Sequence, residues 1–159
     1  MKILTLLAAL GSGLIAGAFF AFSTFVMKAL ARLQPPQGIA AMNSINVVVI
    51  NPWFLGVFVG TALACLVLAV SALLTWHKPG TGYLLAGGLL YIAGTFLVTM
   101  VFNVPRNDAL AAVDPASAEG ARLWTDYLSS WTAWNHVRTA AALAAAALLT
   151  LGLCASRNG

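Results

Sequence analysis

The residues of this sequence that could carry chemistry are concentrated at positions 131–139, where the chain reads WTAWNHVRT. Asn135, His136 and Arg138 stand there beside the indoles of Trp131 and Trp134. A histidine can act as a general base near neutral pH, and amide and guanidinium N–H groups can stabilise a developing oxyanion. The stretch therefore predicts a site for an apolar aromatic ligand, with Asn135, His136 and Arg138 as its catalytic residues.

Two other segments supply side chains that could bind the same ligand. Positions 103–107 contain Asn103, Arg106 and Asn107, for which a capped turn is the alternative interpretation. Asn43 and Asn46 are three residues apart, so on a helix they share an edge. We predict that these five residues contact substrate together with four flanking side chains: Ser23, Trp53, Trp131 and Trp134.

The composition identifies lipid as the solvent of most of this surface. Of 159 residues, 61% are hydrophobic and only 8% are charged, and the mean hydropathy is +0.92. Soluble domains are roughly 45–50% apolar and about 25% charged. This excludes an ordinary cytosolic enzyme, a disordered chain and a disulfide-framed secreted module. The net charge of +4 is spread without a basic run, so we predict no nucleic-acid partner.

Four stretches reach the length of about 20 apolar residues that a membrane-spanning helix needs. They are 3–27, 53–76, 83–102 and 136–154. Because unpaired sheet edges are not tolerated in hydrocarbon, we predict an all-α fold, a four-helix transmembrane bundle with up-down topology that occupies 1–159 as one domain. We also expect an interfacial helical segment within 38–51 and a helical extension that begins at Asp114-Pro115 and runs into span four.

The unequal connections of this bundle place the polar residues at one membrane face. Both long connections, 28–52 and 103–135, emerge on the same side, whereas the termini and the short turn 77–82 share the other. The side with the termini carries Lys2, Lys78 and Arg157 and no acids, and we expect it to be cytoplasmic in a bacterial inner membrane. An interfacial tryptophan belt with a snorkelling arginine is the alternative explanation of Trp131, Trp134 and Arg138.

Glycines at four-residue spacing predict close packing of helices, and a homo-oligomer interface is the alternative. They are Gly13 with Gly17 and Gly56 with Gly60. A metal site is not predicted, because the two histidines, His77 and His136, fall on opposite faces of the bundle and cannot share an iron or copper within one chain.

At these same residues the sequence resembles a known family, the anthrone oxygenase-like integral membrane proteins. The resemblance rests on four short spans, the Phe-Ser-Thr-Phe segment at the end of span one and Asn51-Pro52-Trp53 before span two. It rests further on the NVPRN segment after span three and on the W-x-x-WNH-x-RT segment that opens span four. The resemblance implies oxidation of a phenolic, anthrone-like polycyclic substrate to a quinone by O₂, with no added cofactor.

Under this resemblance His136 would remove a ring proton, and Asn135, Arg138 and Asn107 would hold the resulting enolate oxygen. The partners would be a small apolar aromatic substrate, O₂ and membrane lipid. Two other functions stay open at this stage. One is a non-catalytic membrane protein that binds a quinone, a lipid or a partner subunit, and the other is a membrane oxidoreductase that contains haem or copper.

Overall fold

The computed structural model describes residues 1–155, which form five helices and short connections. These are α1 (Lys2–Leu30), α2 (Pro35–Val48), α3 (Pro52–Leu74), α4 (Thr81–Ala112) and α5 (Ala118–Ala155). All except α2 are long and apolar enough to cross a membrane, which confirms the predicted all-α class and the four spans of an integral membrane protein. Arg157 lies outside the described residues, and the predicted orientation stays a prediction.

The four long helices close into a ring in which each helix packs against two others. α1 packs on α3 and α5, and α4 packs on the same two helices from the opposite side. The turn between α3 and α4 depends on Gly80, whose φ of 86° lies in the left-handed region. A Cβ at this position would also stand 2.8 Å from the carbonyl oxygen of Gly152, so the turn requires glycine for two reasons.

The bundle has two hydrophobic cores. One lies between the four long helices, and the other lies at one end of the bundle, where α2 packs on the ends of the long helices. α5 has 38 residues. At 1.5 Å per residue it extends about 57 Å, well beyond a hydrocarbon layer of about 30 Å. Its first half packs with α2 and the end of α4 around Met42, Leu110, Trp124 and Tyr127. The predicted interfacial helix and the predicted extension of span four are thus both present, and together they cover one end of the bundle.

Two predicted boundaries differ from the structure. α4 runs through the expected turn at 103–107. The π-helical segment Thr99–Asn103 ends two residues before Pro105, and this change of register accommodates a residue that has no N–H. The Asn103 side chain therefore caps no helix. α5 begins at Ala118 rather than at Asp114, since the Gly120 N–H donates to Ser117 Oγ at 2.9 Å.

The prediction that the spaced glycines pack the bundle is wrong. A Cβ built on Gly13, Gly17, Gly56 or Gly60 would meet no atom within 4 Å, so these positions face outward. The close approaches between spans occur instead at glycines that the spacing rule did not select: Gly11, Gly87, Gly88, Gly94 and Gly152. Glycines spaced by four residues lie on the same face of a helix, but their spacing does not determine whether that face packs against another helix.

Replacing Gly94 by Ala is expected to lower the free energy of unfolding by about 1–3 kcal/mol, the usual cost of overpacking. The new methyl group would stand 2.5 Å from Cβ of Ala141 and would force α4 away from α5. Thermal unfolding in detergent measures the effect. Gly13→Ala is the matched control, and an equal loss of stability in both variants would contradict the assignment of Gly94 to a helix contact.

Candidate active site

A cavity of about 360 Å³ lies where the two cores meet, and all five helices contribute to its wall. Most of the wall is apolar, with aromatic rings from α1 and α3. The polar side chains at the wall are few: Asn46, Thr99, Asn107, Trp131 and Arg138. An apolar cavity with a small number of polar groups is the usual form of a small-molecule site.

The rim of the cavity includes residues whose side chains are exposed on the surface of the bundle. Ile50 is 68% exposed and Met100 is 48% exposed, and both also line the cavity. The cavity therefore opens at the surface of the bundle through an apolar rim, which favours an apolar ligand.

Arg138 is the one charged side chain among the described residues of the wall, and it is only 4% exposed. Its guanidinium lies between two aromatic faces, with Cζ 4.1 Å from the ring centre of Phe19 and 4.9 Å from that of Trp131. Its Nη1 donates to Thr99 Oγ1 at 3.3 Å, and its Nη2 donates to Asn135 Oδ1 at 2.7 Å. Its Nε is buried and has no hydrogen-bond partner.

The partners of Arg138 leave its charge uncompensated. They are two rings and two neutral oxygens, and none of the four acids of the chain is among the contacts that residues 1–155 make with it. A buried cation without an anionic partner is costly, and cation–π contacts offset only part of that cost. Such a group at a cavity wall is a binding position for an anionic oxygen.

Asn135, on the preceding turn of α5, holds this guanidinium in place. The residue is fully buried, and its Nδ2 donates to the Phe19 carbonyl oxygen and to Ser23 Oγ, both at 2.8 Å. Its Oδ1 accepts from Arg138. Asn135 therefore fixes Arg138 relative to α1 without lining the cavity itself.

Two π-helical segments stand at the depth of the cavity. They are Phe22–Val26 in α1 and Thr99–Asn103 in α4, and both contribute to the wall, the first through Phe22 and the second through Thr99 and Met100. A π-helical turn changes the backbone register by one residue and is frequent at functional sites. The Phe19 carbonyl, which binds Asn135, lies one turn before the first of these segments.

A second polar group adjoins Arg138 across the Trp131 ring. Asn107 Oδ1 accepts from Trp131 Nε1 at 2.9 Å and from the Tyr127 hydroxyl at 2.7 Å. The Asn107 oxygen thus accepts two hydrogen bonds, and the residue lines the cavity wall. Asn46 of α2 lines the same cavity, and its Nδ2 is buried without a partner.

The structure thus brings together five of the predicted site residues. Asn46, Asn107, Trp131 and Arg138 line the cavity, and Asn135 supports it. Ser23 does not line the cavity but contacts it through Asn135, since its hydroxyl forms hydrogen bonds with Asn135 Nδ2 and Thr139 Oγ1.

The other predicted residues lie elsewhere. His136 is exposed on the outer side of α5, about 100° around the helix from Asn135, and Trp53 is 88% exposed. Neither belongs to the cavity wall. The remaining four residues make contacts within the fold. Trp134 stacks on Phe102, and Arg106 Nε donates to Ser130 Oγ. Asn103 Nδ2 donates to the Trp131 carbonyl, and Asn43 Nδ2 donates to the Leu110 carbonyl.

Sequence reasoning missed the contribution of Thr99, Phe19 and Tyr127. Thr99 follows Thr95 by four residues in an otherwise apolar span, and that pair was a visible signal for the inner face of α4. Phe19 and Tyr127 had no comparable signal, because an aromatic residue in an apolar helix is common in any position. Their role depends on contacts between distant parts of the chain.

Within residues 1–155, no group of three or more His, Cys, Asp or Glu side chains could hold a metal ion. Cys65 and Cys154 are both free, one buried and the other exposed. The expectation that the site works without a cofactor stays a prediction.

Comparison with known proteins gives a family but no individual relative. The family model described as anthrone oxygenase matches residues 51–148, which is more than half of the chain. The matched part includes α3, α4 and most of α5, and with them Asn107, Asn135 and Arg138. No curated protein and no solved structure matches the chain.

Proposed function

The chain belongs to the anthrone oxygenase family, and from that premise we propose that it oxidises a phenolic, anthrone-like polycyclic substrate to a quinone with O₂ in the cavity beside Arg138. One observation carries the proposal. Arg138 is a buried cation without an acidic partner among its described contacts, held at the wall of an apolar, aromatic cavity. An aromatic ligand with one anionic oxygen complements such a wall in both shape and charge.

The chemistry needs the substrate, O₂, a proton acceptor and these N–H donors. An anthrone loses one proton from its ring methylene and becomes an enolate, whose oxygen Arg138 would bind. The carbanionic carbon then forms a bond to O₂ and yields a hydroperoxide after protonation. Loss of the second methylene hydrogen as a proton, with cleavage of the O–O bond, leaves the new carbonyl and releases water. The substrate gives up four electrons, and O₂ accepts all four.

The proton that leaves the substrate first has no acceptor at the cavity wall. The described wall residues include no imidazole, carboxylate, amine, thiol or phenol. We therefore assign the first deprotonation to hydroxide or water outside the cavity, after which the protein binds the enolate. Binding the anion shifts the substrate towards its reactive form, and oxyanion stabilisation of this kind is often the largest single contribution to catalysis.

Replacing His136 by Ala is expected to leave O₂ uptake unchanged, because its imidazole is exposed on the outer side of α5. The measurement is the initial rate of O₂ consumption with an anthrone across a range of pH. The pH profile of the variant should follow that of the wild-type protein. A large fall in kcat with an unchanged KM would instead assign the base role to His136.

The proposal is tested by an oxygen electrode with protein in detergent and a panel of hydroxylated anthrones. Stoichiometric O₂ uptake with formation of the quinone supports it, and no uptake with any member contradicts it. A visible spectrum and a metal analysis of the same preparation test the alternative of a haem or copper oxidoreductase.

A non-catalytic binding protein is the second candidate, and the lack of a proton acceptor at the described wall favours it. Such a protein would bind a quinone or an anionic lipid in the same cavity and would use Arg138 in the same way. It predicts saturable binding of a quinone without O₂ uptake, so the same preparation separates the two functions.

A further inference from the structure

We propose that the cavity takes its ligand from the lipid bilayer, through a mouth beside the C-terminal end of α2; this inference rests on the proposed function for the identity of the ligand. The mouth is formed by Ile50, Leu55 and Met100, which line the cavity and are exposed on the surface of the bundle. The exposed side chains of the helices indicate where the membrane surface crosses the bundle, and the mouth lies on the lipid side of that level.

The exposed side chains of α5 change character near His136. Before this residue most of them are polar or charged, namely Glu119, Arg122, Thr125, Asp126 and Ser129. From Val137 to Cys154 the exposed side chains carry no charge. Because a charged side chain in hydrocarbon is costly, the membrane surface crosses α5 close to His136.

Two other helices show the same change at their ends beside the cavity. On α1 the exposed ring of Phe25 is followed three residues later by the exposed Lys28. On α4 the exposed side chains are uncharged from Tyr83 to Val101, and Asp108 is the first exposed charge after them. Met100 precedes Asp108 by eight residues, which at 1.5 Å per residue places it about 12 Å deeper along the helix. The mouth therefore reaches into the apolar part of the bundle.

α2 has the same gradient of polarity, although it is too short to span a membrane. Gln37 and Val48 are eleven residues, or three turns, apart and lie on one exposed face. The face is polar at Gln37, whereas the corner between α2 and α3 exposes four large apolar side chains: Val47, Val48, Ile50 and Trp53. This patch continues into α3, which is long and apolar enough to cross a membrane. Lipid is therefore the partner of the patch, and α2 slopes from water into the bilayer.

The position of the mouth suits the ligand of the proposed function. A phenolic polycycle collects in the interfacial layer of a bilayer, with its rings in hydrocarbon and its oxygen near water. The mouth extends from Ile50, beside the exposed indole of Trp53, to Met100, and so reaches this layer. The substrate can lose its first proton to water at the membrane surface and then move sideways into the cavity, where Arg138 binds the oxygen.

The depth of the mouth can be measured in phosphatidylcholine vesicles with bimane coupled to single cysteines. A Cys154→Ser background removes the exposed thiol, and Cys65 is buried. We expect bimane on Val48→Cys and on Met100→Cys to lose its fluorescence with a nitroxide lipid and to keep it with aqueous iodide. Gln37→Cys, on the same face of α2 as Val48, is the matched control and should respond in the opposite way. Quenching by iodide at either of the first two positions overturns the inference, and so does protection from both quenchers, which a covering protein would give.

The route itself is tested by the rate of ligand binding. Quenching of tryptophan fluorescence by 1,8-dihydroxyanthraquinone in stopped flow reports its association, in a Trp53→Phe background that removes the exposed indole beside the mouth. Coupling cyclohexylmaleimide to Met100→Cys should slow association by about tenfold, as for other hindered binding steps. The same modification of Leu143→Cys, which is exposed on α5 and does not line the cavity, should leave the rate unchanged.

Turnover and route give separate outcomes. Slower association through the obstructed mouth in a protein that consumes no O₂ contradicts the proposed function and supports the inference. Unchanged association in a protein that does consume O₂ overturns the inference alone. A wild-type protein that does not bind the quinone overturns it as well.

Discussion

Replacing Arg138 by Met is expected to lower kcat/KM for an anthrone by about 10²–10³, the usual effect of removing a donor to a developing oxyanion. The melting temperature should change little, because removal of the buried charge is offset by Asn135 Oδ1, which loses its donor. The guanidinium is buried at a cost that its described contacts, two rings and two neutral oxygens, do not repay fully. A methionine side chain fills a similar volume without that cost.

Two control variants separate the charge of Arg138 from its shape. Lys at this position keeps the positive charge but loses the planar stack on Phe19 and Trp131, so partial activity is expected. Arg122→Met makes the same substitution at an exposed position of α5 and should leave activity unchanged. Steady-state O₂ uptake and thermal unfolding measure the two effects together. Full turnover by Arg138→Met would remove the basis of the proposed function.

The spans were predictable from the sequence because they depend on composition alone. Each bilayer crossing requires a long apolar run, and a backbone in lipid has to be helical. The extent of each helix was less predictable. α4 continues through Pro105, although proline normally ends a helix because it has no N–H to donate. The π-helical segment before it changes the hydrogen-bond register and accommodates the missing donor. Such a segment has no reliable signature in one sequence.

The sequence predicts a site at positions 131–139, and the structure places Trp131 and Arg138 at the cavity wall but His136 on the outer side of the helix. Positions 131–139 belong to one continuous helix, so its polar residues cannot all face the same side. Trp131, Asn135 and Arg138 are spaced by four and three residues and face inward together, and this spacing was visible in the sequence. His136 follows Asn135 directly and therefore points away.

The cavity itself could not be predicted, since it depends on how α2 covers the ends of the other helices. Asn46 and Asn107 are distant in sequence, and only the packing of α2 against α4 and α5 brings both to one wall. In the same way, Asn135, which accepts a hydrogen bond from Arg138, donates to the backbone carbonyl of Phe19, which any residue type would provide. Contacts of this kind leave no trace in residue types or spacing.

Replacing Asn135 by Leu is expected to lower both stability and activity, in contrast to the loss of activity alone in Arg138→Met. Three hydrogen bonds disappear with the amide, to the Phe19 carbonyl, to Ser23 Oγ and from Arg138 Nη2. Each buried polar group that loses its partner costs about 1–3 kcal/mol. Thermal unfolding should show this loss, whereas Ser23→Ala, which removes one of the three partners, should show a smaller one.

The aspartate variant tests whether Asn135 positions Arg138 for a ligand or only stabilises the fold. Asn135→Asp keeps the oxygen that accepts from Arg138 and adds a negative charge to it, so the arginine gains the acidic partner that its described contacts lack. That carboxylate competes with the enolate for the same guanidinium, and we expect KM for the anthrone to rise about tenfold or more. Relative to Asn135→Leu, the aspartate variant should regain the stability that comes from the Arg138 contact, but not that of the two hydrogen bonds that Nδ2 donates, while it binds substrate less tightly. If stability and KM recovered together, Asn135 would have a purely structural role, and the charge of Arg138 would not be what holds the substrate.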